Sequence, residues 1–317
     1  MQKPFDPRAI LVPFALVLGL LTVTAFAPAL GMMTGIFTPL PIIWVSLRFG
    51  MKPGAVMAGL VLVSLVFVAG PLPAFLFFAE YGILALILSE GVRQGQPFDR
   101  CIAFSALGAT VISILLLFFV LGEQNESFSS FFKDRVDSHI AQSMEALKSM
   151  GESPADLKLM QEFSVTVSEL FTQSYPAILL IGSLVTASLN YVMAQFISRR
   201  LHLGFNFHPG KYSEWVAPEQ AVWALLASGG AVAMGDPFAA VGMNVFLVAL
   251  VVYFAQGLSI VVHFLETRNV HAVFWGFVFL LILFQPILMG IIIGMGVFDL
   301  WADFRKLKSP PIDPDTV

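Results

Sequence analysis

A carboxylate within an apolar segment is the residue of this sequence best placed to do chemistry. Glu80 lies near the middle of residues 73–90, directly after Phe77, Phe78 and Ala79. A carboxyl group in such a position has to be protonated, paired or facing water. Two hypotheses stay open: Glu80 is protonated and hydrogen-bonded to a neighbouring helix, or it contacts a ligand or carries a proton.

Two stripes of polar side chains follow helical spacing. Each has residues at positions i, i+3 and i+7, which share one helix face: Ser183, Thr186 and Asn190 in the first, and Gln256, Ser259 and His263 in the second. Such side chains either hydrogen-bond between membrane helices, for about 0.6 kcal/mol each on average, or line a polar cavity. Because a small-ligand site is usually an apolar pocket with a few convergent polar groups, the candidate ligand-binding residues are Glu80, Asn190, Gln256 and Ser259.

Sequence signatures of enzymes and metal sites are absent. The sequence has no H-E-x-x-H, G-x-S-x-G or G-x-x-x-x-G-K-[ST] motif. The five His residues have no clustered Cys or acidic residues beside them, and Cys101 is the single cysteine. We therefore expect no enzyme activity, no catalytic residue, no metal and no cofactor. A transporter with this sequence would need an ion gradient or a partner ATPase subunit.

The composition indicates which solvent surrounds these residues. Hydrophobic residues make up 57% of the 317 residues and charged residues only 12%, against about 25% charged in soluble domains. Runs of about 20 apolar residues are long enough to cross a bilayer as helices, and a spanning helix satisfies its own backbone hydrogen bonds. The net charge of −4 gives no reason to expect a nucleic-acid partner. The lipid bilayer is the expected environment.

The apolar runs predict the fold class: an all-α, polytopic helical membrane protein with about eight to ten membrane helices. The segments are residues 9–30, 33–49, 54–70, 72–90, 101–122, 174–197, 220–235, 240–264 and 272–300. If the N-terminus is cytoplasmic, ten Lys and Arg residues fall on the cytoplasmic side and four on the other, as the positive-inside rule requires.

Residues 123–172 are the one sizeable segment predicted outside the membrane. Apolar residues recur there at helical spacing, and Ser153-Pro154-Ala155-Asp156 is typical of a helix start. This pattern predicts an extracytoplasmic amphipathic helical hairpin. Its polar faces carry nine acidic and four basic residues, so its apolar stripes pack on each other or on a partner.

The last apolar segment is too long for one upright helix. Gln285-Pro286 interrupts its middle, and proline breaks or kinks a helix. The sequence favours two half-helices that fold back and return the tail to the cytoplasm over one kinked span. The predicted division is a five-helix bundle (1–122), the hairpin (123–172), a second bundle (173–301) and a disordered cytoplasmic tail (302–317).

Three stretches carry a resemblance to a known family: residues 39–54, which begin Pro39-Leu40-Pro41-Ile42, residues 256–259 (QGLS) and residues 296–305 (GVFDLWADFR). Together they are similar to the YybS-like family of bacterial polytopic membrane proteins. That family is distantly similar to the substrate-binding subunits of energy-coupling-factor transporters. The resemblance implies a bacterial inner-membrane protein that binds a small solute between helices and works with membrane or ATPase partner subunits. The rival hypothesis is a scaffold or assembly factor that acts through the 123–172 hairpin.

Overall fold

The computed structural model describes residues 7–124, 128–149 and 154–307, and these residues are helical with connecting turns and contain no β-strand. The α-helices of the described residues are α1 (Leu11–Phe26), α2 (Pro28–Thr34), α3 (Leu40–Phe49), α4 (Met51–Ala69), α5 (Pro71–Phe77), α6 (Ile83–Arg93), α7 (Phe98–Gln124), α8 (Phe128–Ser149), α9 (Pro154–Arg200), α10 (Ala221–Met234), α11 (Ala239–Thr267), α12 (Ala272–Phe284) and α13 (Pro286–Ala302). The predicted all-α class is confirmed.

Five of these helical stretches are long and apolar enough to cross a membrane. They are Met51–Ala69, Pro71–Arg93, Phe98–Glu123, Thr166–Arg200 and Ala239–Thr267, and the bent pair α12 and α13 makes a sixth if it counts as one span. The expected eight to ten spans are not confirmed. The helices Leu11–Phe26, Gly35–Phe49 and Ala221–Met234 are apolar but have only 10–17 residues, short of the roughly 20 that a bilayer requires.

The chain divides into two compact units, Met1–His208 and Pro209–Val317, called unit 1 and unit 2 below. Unit 1 contains α1 to α9, and its core is a cluster of buried aliphatic side chains that includes Ile42, Ile43, Met57 and Leu88. Helices α3 and α4 approach closely at Gly54. A Cβ added to this glycine would lie 1.9 Å from the Ser46 Oγ. A side chain at position 54 would have to displace Ser46, and small residues are common where membrane helices cross.

The segment predicted as a hairpin forms two packed helices. Ser168 of α9 donates to the Asp137 carboxylate of α8 at 2.7 Å. At the base of the pair, Phe131 packs on Leu117 and Leu121 of α7. Helix α9 then continues without a break through residue 172, the predicted end of the hairpin, and ends at Arg200.

Unit 2 contains α10 to α13, and its last apolar segment breaks at the predicted dipeptide. Helix α12 ends at Phe284, α13 begins at Pro286, and the two are bent by 101°. Pro286 has no N–H and so cannot continue α12. At the first position of α13 the missing N–H costs no hydrogen bond, so Pro286 can begin that helix. Whether the segment returns to the side where it began stays a prediction.

Candidate functional site

Glu80 lies in a π-helical turn, Phe78–Gly82, between α5 and α6. A π turn inserts an extra residue into an α-helix and is found often at functional sites. The turn occupies the interior of the candidate span Pro71–Arg93. The half-buried side chain of Glu80 therefore lies away from both ends of the span.

Hydroxyl groups from two neighbouring helices surround the Glu80 carboxylate. Ser183 of α9 donates to Oε1 at 2.5 Å, and Ser113 of α7 donates to Oε2 at 3.3 Å. The Ser183 Oγ also lies 3.0 Å from the Thr110 Oγ1. Ser183, Thr110 and Ser113 are all at most 5% exposed. These four residues form one oxygen-lined group, called the carboxylate cluster below.

The carboxylate cluster contains an acid but no base. None of the ion pairs of the described residues includes Glu80, and no group of three or more His, Cys, Asp and Glu that could hold a metal occurs in the same ranges. An ionised carboxylate only accepts hydrogen bonds, whereas each hydroxyl both donates and accepts. The cluster is therefore suited to a ligand that is positively charged or rich in hydrogen-bond donors.

Asn190 lies two helical turns after Ser183 on α9 and contacts the backbone at Ile36. Its Nδ2 donates to the Ile36 carbonyl at 2.8 Å and to the Thr186 carbonyl at 2.8 Å. Ile36 belongs to the 3-10 turn Gly35–Phe37, and Pro39 has no N–H to bond that carbonyl. Asn190 thus satisfies a carbonyl that proline leaves unpaired. Its own Oδ1 is buried and has no hydrogen-bond partner in the described residues.

The predicted stripe on α9 lies on a single interior face. Ser183 and Asn190 are fully buried, and Thr186 between them is 6% exposed. Seven residues of α-helix correspond to roughly 10 Å, so the stripe connects the π turn at Glu80 with the 3-10 turn at Ile36. Irregular backbone at membrane depth is tolerated where protein covers it or where it lines a cavity.

Gln256 and Ser259 lie in unit 2 within a buried hydrogen-bond network. Gln256 Oε1 accepts from the Ala217 N–H at 3.2 Å, and Nε2 donates to the Asp299 carboxylate at 3.1 Å. The Ser259 Oγ lies 3.1 Å from the Trp215 carbonyl and accepts from Arg305 at 3.0 Å. Both side chains are buried and connect α11 to the segment that precedes α10.

Arg305 is at the centre of this network, a position that the sequence does not predict. Its Nη2 donates to the Asp299 Oδ2 at 2.6 Å, and its Nη1 donates to the Ser213 and Trp215 carbonyls at 3.0 and 2.9 Å. The chain turns back through the left-handed residue Asp303, at φ 42°, which directs Arg305 against α11. Arg305, Asp299, Gln256 and Ser259 with their backbone partners are called the arginine network below.

The predicted tail begins inside this network. Residues 302–317 were expected to be disordered, and the structure describes 302–307 of them, with Arg305 only 5% exposed. Residues 308–317 lie outside the described residues. Nearby, Tyr212 donates to the Ala255 carbonyl at 2.6 Å, and burial raises the pKa of its phenol, so Tyr212 stays a neutral donor.

Two glycines explain why α11 and α13 come close enough for this network. A Cβ on Gly257 would lie 2.0 Å from the Ile292 carbonyl oxygen, and one on Gly296 would lie 2.0 Å from that of Tyr253. The two backbones are in direct contact there. Gly257 and Gly296 both belong to the stretches that carry the family resemblance, so close packing is a physical reason for those motifs.

The four candidate residues are thus distributed over both units. Glu80 and Asn190 lie in unit 1: Asn190 is on the polar stripe of α9, and Glu80 accepts from Ser183 at the other end of that stripe. Gln256 and Ser259 lie in unit 2 and belong to the arginine network. A single site shared by all four stays a prediction.

Comparison with known proteins places the chain in a broad class. A family model described as "Predicted membrane protein (DUF2232)" matches residues 14–300. No curated protein and no solved structure matches the chain. The matched range contains all four candidate residues and Asp299, and it supports a multi-pass membrane protein.

Proposed function

The chain belongs to the DUF2232 family of predicted membrane proteins, and we propose that this membrane protein binds a small solute at the carboxylate cluster of unit 1. The solute carries a positive charge or several hydrogen-bond donors. In this proposal the protein acts like the substrate-binding subunit of an energy-coupling-factor transporter and is not an enzyme.

The observation that carries the proposal is the position of Glu80. A carboxylate within a membrane span costs free energy unless it is neutralised, paired or hydrated, and such residues usually serve a function. Here two hydroxyl donors from α7 and α9 meet it, and no basic side chain pairs with it in the described residues. The carboxyl group is hydrogen-bonded in part and has no counter-ion in the described residues, and a cationic or donor-rich solute would complete its contacts.

Asn190 gives the proposal a second contact point. Its buried Oδ1 has no partner in the described residues, and a buried acceptor without a hydrogen bond costs about 1–3 kcal/mol. A solute donor that reached this oxygen would recover that free energy. Gln256 and Ser259 support the proposal less, because protein groups already occupy their donors and acceptors.

The proposal includes an external source of energy. The sequence has no phosphate-binding G-x-x-x-x-G-K-[ST] motif, which ATP-driven transport would require in the chain itself. Transport would therefore depend on an ion gradient or on an ATPase partner in the membrane. The expected location is the bacterial inner membrane.

Mass spectrometry of the gently solubilised protein tests the proposal. We expect a small molecule of defined mass to copurify with the protein and to be released when the protein is unfolded. Purified protein that carries no small molecule, and that a library of organic cations, amino acids and vitamins does not stabilise against heat, would contradict solute binding.

A second candidate function is a membrane scaffold that acts through the α8–α9 hairpin. The observation that favours it is Phe163, an aromatic side chain 71% exposed on the part of α9 that precedes the candidate span Thr166–Arg200. Exposed aromatic side chains are enriched at protein interfaces. The same mass spectrometry decides between the two functions: a stoichiometric protein partner that is lost in Phe163→Ser would favour the scaffold.

A further inference from the structure

A groove on unit 1 has an apolar wall and one charged end. Residues of α1, α3 and α9 line it, among them Leu16, Leu40, Trp44, Arg48 and Ile197, and its cavity volume is about 420 Å³. That volume lies within the usual range for small-ligand sites, about 300–1,000 Å³. The groove is separate from the carboxylate cluster, and none of its lining residues takes part in the proposed solute site.

Arg48 is the charged residue of this lining. Its half-buried side chain lies in the last turn of α3, and it forms no ion pair in the described residues. No acidic side chain lines the groove. A guanidinium presents a planar fork of donors that matches a phosphate or carboxylate, so the charged end of the groove is complementary to an anion.

The neighbouring residues place this end near a bilayer surface. Trp44 precedes Arg48 by four residues and so shares its face of α3, and Trp is enriched at membrane–water interfaces. Ile197 is followed by Arg199 and Arg200 at the end of α9, and both are exposed. Basic groups between and beside helix ends attract anionic lipid headgroups.

The rest of the groove has the properties of an acyl-chain site. Leu16 is 56% exposed and Val12 is 70% exposed, and both line the groove. Exposed apolar side chains of this kind are more stable against the hydrocarbon of a bilayer than against water. We propose that the groove binds one anionic phospholipid, with an acyl chain along α1 and α3 and its phosphate against Arg48.

Native mass spectrometry in nanodiscs tests this site. The nanodiscs contain phosphatidylcholine with a minor fraction of phosphatidylglycerol, and the readout is which lipid the protein retains after release from the disc. We expect wild type to retain phosphatidylglycerol selectively. Arg48→Gln should lower that retention about tenfold, since it removes a charge-assisted hydrogen bond. Lys52→Gln is the matched control, because Lys52 is an exposed cation nearby that does not line the groove.

A second pair of variants tests the acyl-chain part and keeps Arg48 intact. Leu16→Trp fills the groove and should lower phosphatidylglycerol retention as strongly as Arg48→Gln. Leu11→Trp is its control, because Leu11 is exposed on the same helix but does not line the groove.

Three results would overturn the proposal. One is retention that Leu16→Trp leaves unchanged, which would mean that no acyl chain occupies the groove. Another is equal loss in Arg48→Gln and Lys52→Gln, which would mean a diffuse effect of surface charge. The third is equal retention of both lipids by wild type. If Arg48→Gln does not fold, the two Trp variants decide the question alone.

Discussion

The carboxylate of Asp299 and the guanidinium of Arg305 lie 2.6 Å apart, with side-chain exposures of 4% and 0%. They are six positions apart in the sequence, and the left-handed turn at Asp303 brings them together. Asp299 also accepts from Gln256 and from the Phe304 N–H. The ion pair therefore fixes the end of α13 against α11 and the segment before α10.

Breaking this ion pair should destabilise unit 2 strongly. Arg305→Gln leaves the Asp299 carboxylate buried without its counter-ion, which typically costs about 3–5 kcal/mol. The measurement is the free energy of unfolding in detergent. The matched control is Arg93→Gln, which breaks the Arg93–Glu90 pair, exposed by 33% and 42%, and should cost less than about 1 kcal/mol. Similar losses in both variants would show that the buried pair has no special role.

Gly257→Ala should prevent α11 and α13 from packing. The added methyl group would overlap the Ile292 carbonyl, a backbone atom that cannot move aside. We expect loss of monodisperse protein in size-exclusion chromatography. Gly294→Ala on α13 is the control, because a Cβ there meets nothing within 4 Å and alanine favours a helix. A Gly257→Ala protein as stable as Gly294→Ala would contradict the direct backbone contact.

Asn190→Leu should destabilise unit 1, because it leaves the Ile36 carbonyl buried without a donor. The expected loss is about 1–3 kcal/mol in the free energy of unfolding. Ser188→Ala provides the comparison, since Ser188 donates only to the Leu184 carbonyl of its own helix, and we expect little change. If Asn190 contacts the solute as well, solute binding at a temperature where the variant is folded should also fall. Unchanged binding would restrict Asn190 to a structural role.

The distribution of Lys and Arg predicts the orientation in the membrane. In a Cys101→Ala background, an impermeant thiol reagent should label Lys148→Cys in intact cells and should not label Gln94→Cys. Both positions are exposed, so access to the reagent depends on the side of the membrane. Labelling of position 94 but not of position 148 would show the inverted orientation.

The helical segments and one polar stripe could be predicted from the sequence because each depends on local pattern. Apolar runs predict the helices, and Gln285-Pro286 predicts the break in the last segment. The i, i+3, i+7 spacing predicts that Ser183, Thr186 and Asn190 share one face. The number of spans could not be predicted in this way. Three apolar runs form helices too short to span by length alone, since proline and glycine end them early.

The polar contacts depend on geometry that sequence spacing does not contain. A π turn at Glu80 changes which side chains face α7 and α9. No residue pattern in 78–82 predicts this turn. Arg305 lies beyond the last apolar segment, residues 272–300, and the sequence therefore predicts it in a cytoplasmic tail. Its pairing with Asp299 depends on a left-handed turn at Asp303, a non-glycine residue. Asp299 and Arg305 both belong to the motif at residues 296–305. Their pairing is evident only once α13 is packed on α11.

The most direct test of the solute site compares two identical substitutions on one helical stretch. Glu80→Gln replaces the carboxyl group of the carboxylate cluster by an amide of the same size, and Glu90→Gln does the same to an exposed carboxylate paired with Arg93. The measurement is the amount of copurifying solute per protein by mass spectrometry, with folding of each variant checked by its thermal unfolding temperature. We predict that Glu80→Gln folds and loses the solute, whereas Glu90→Gln retains it as wild type does. Full retention by a folded Glu80→Gln protein would contradict a solute site at Glu80.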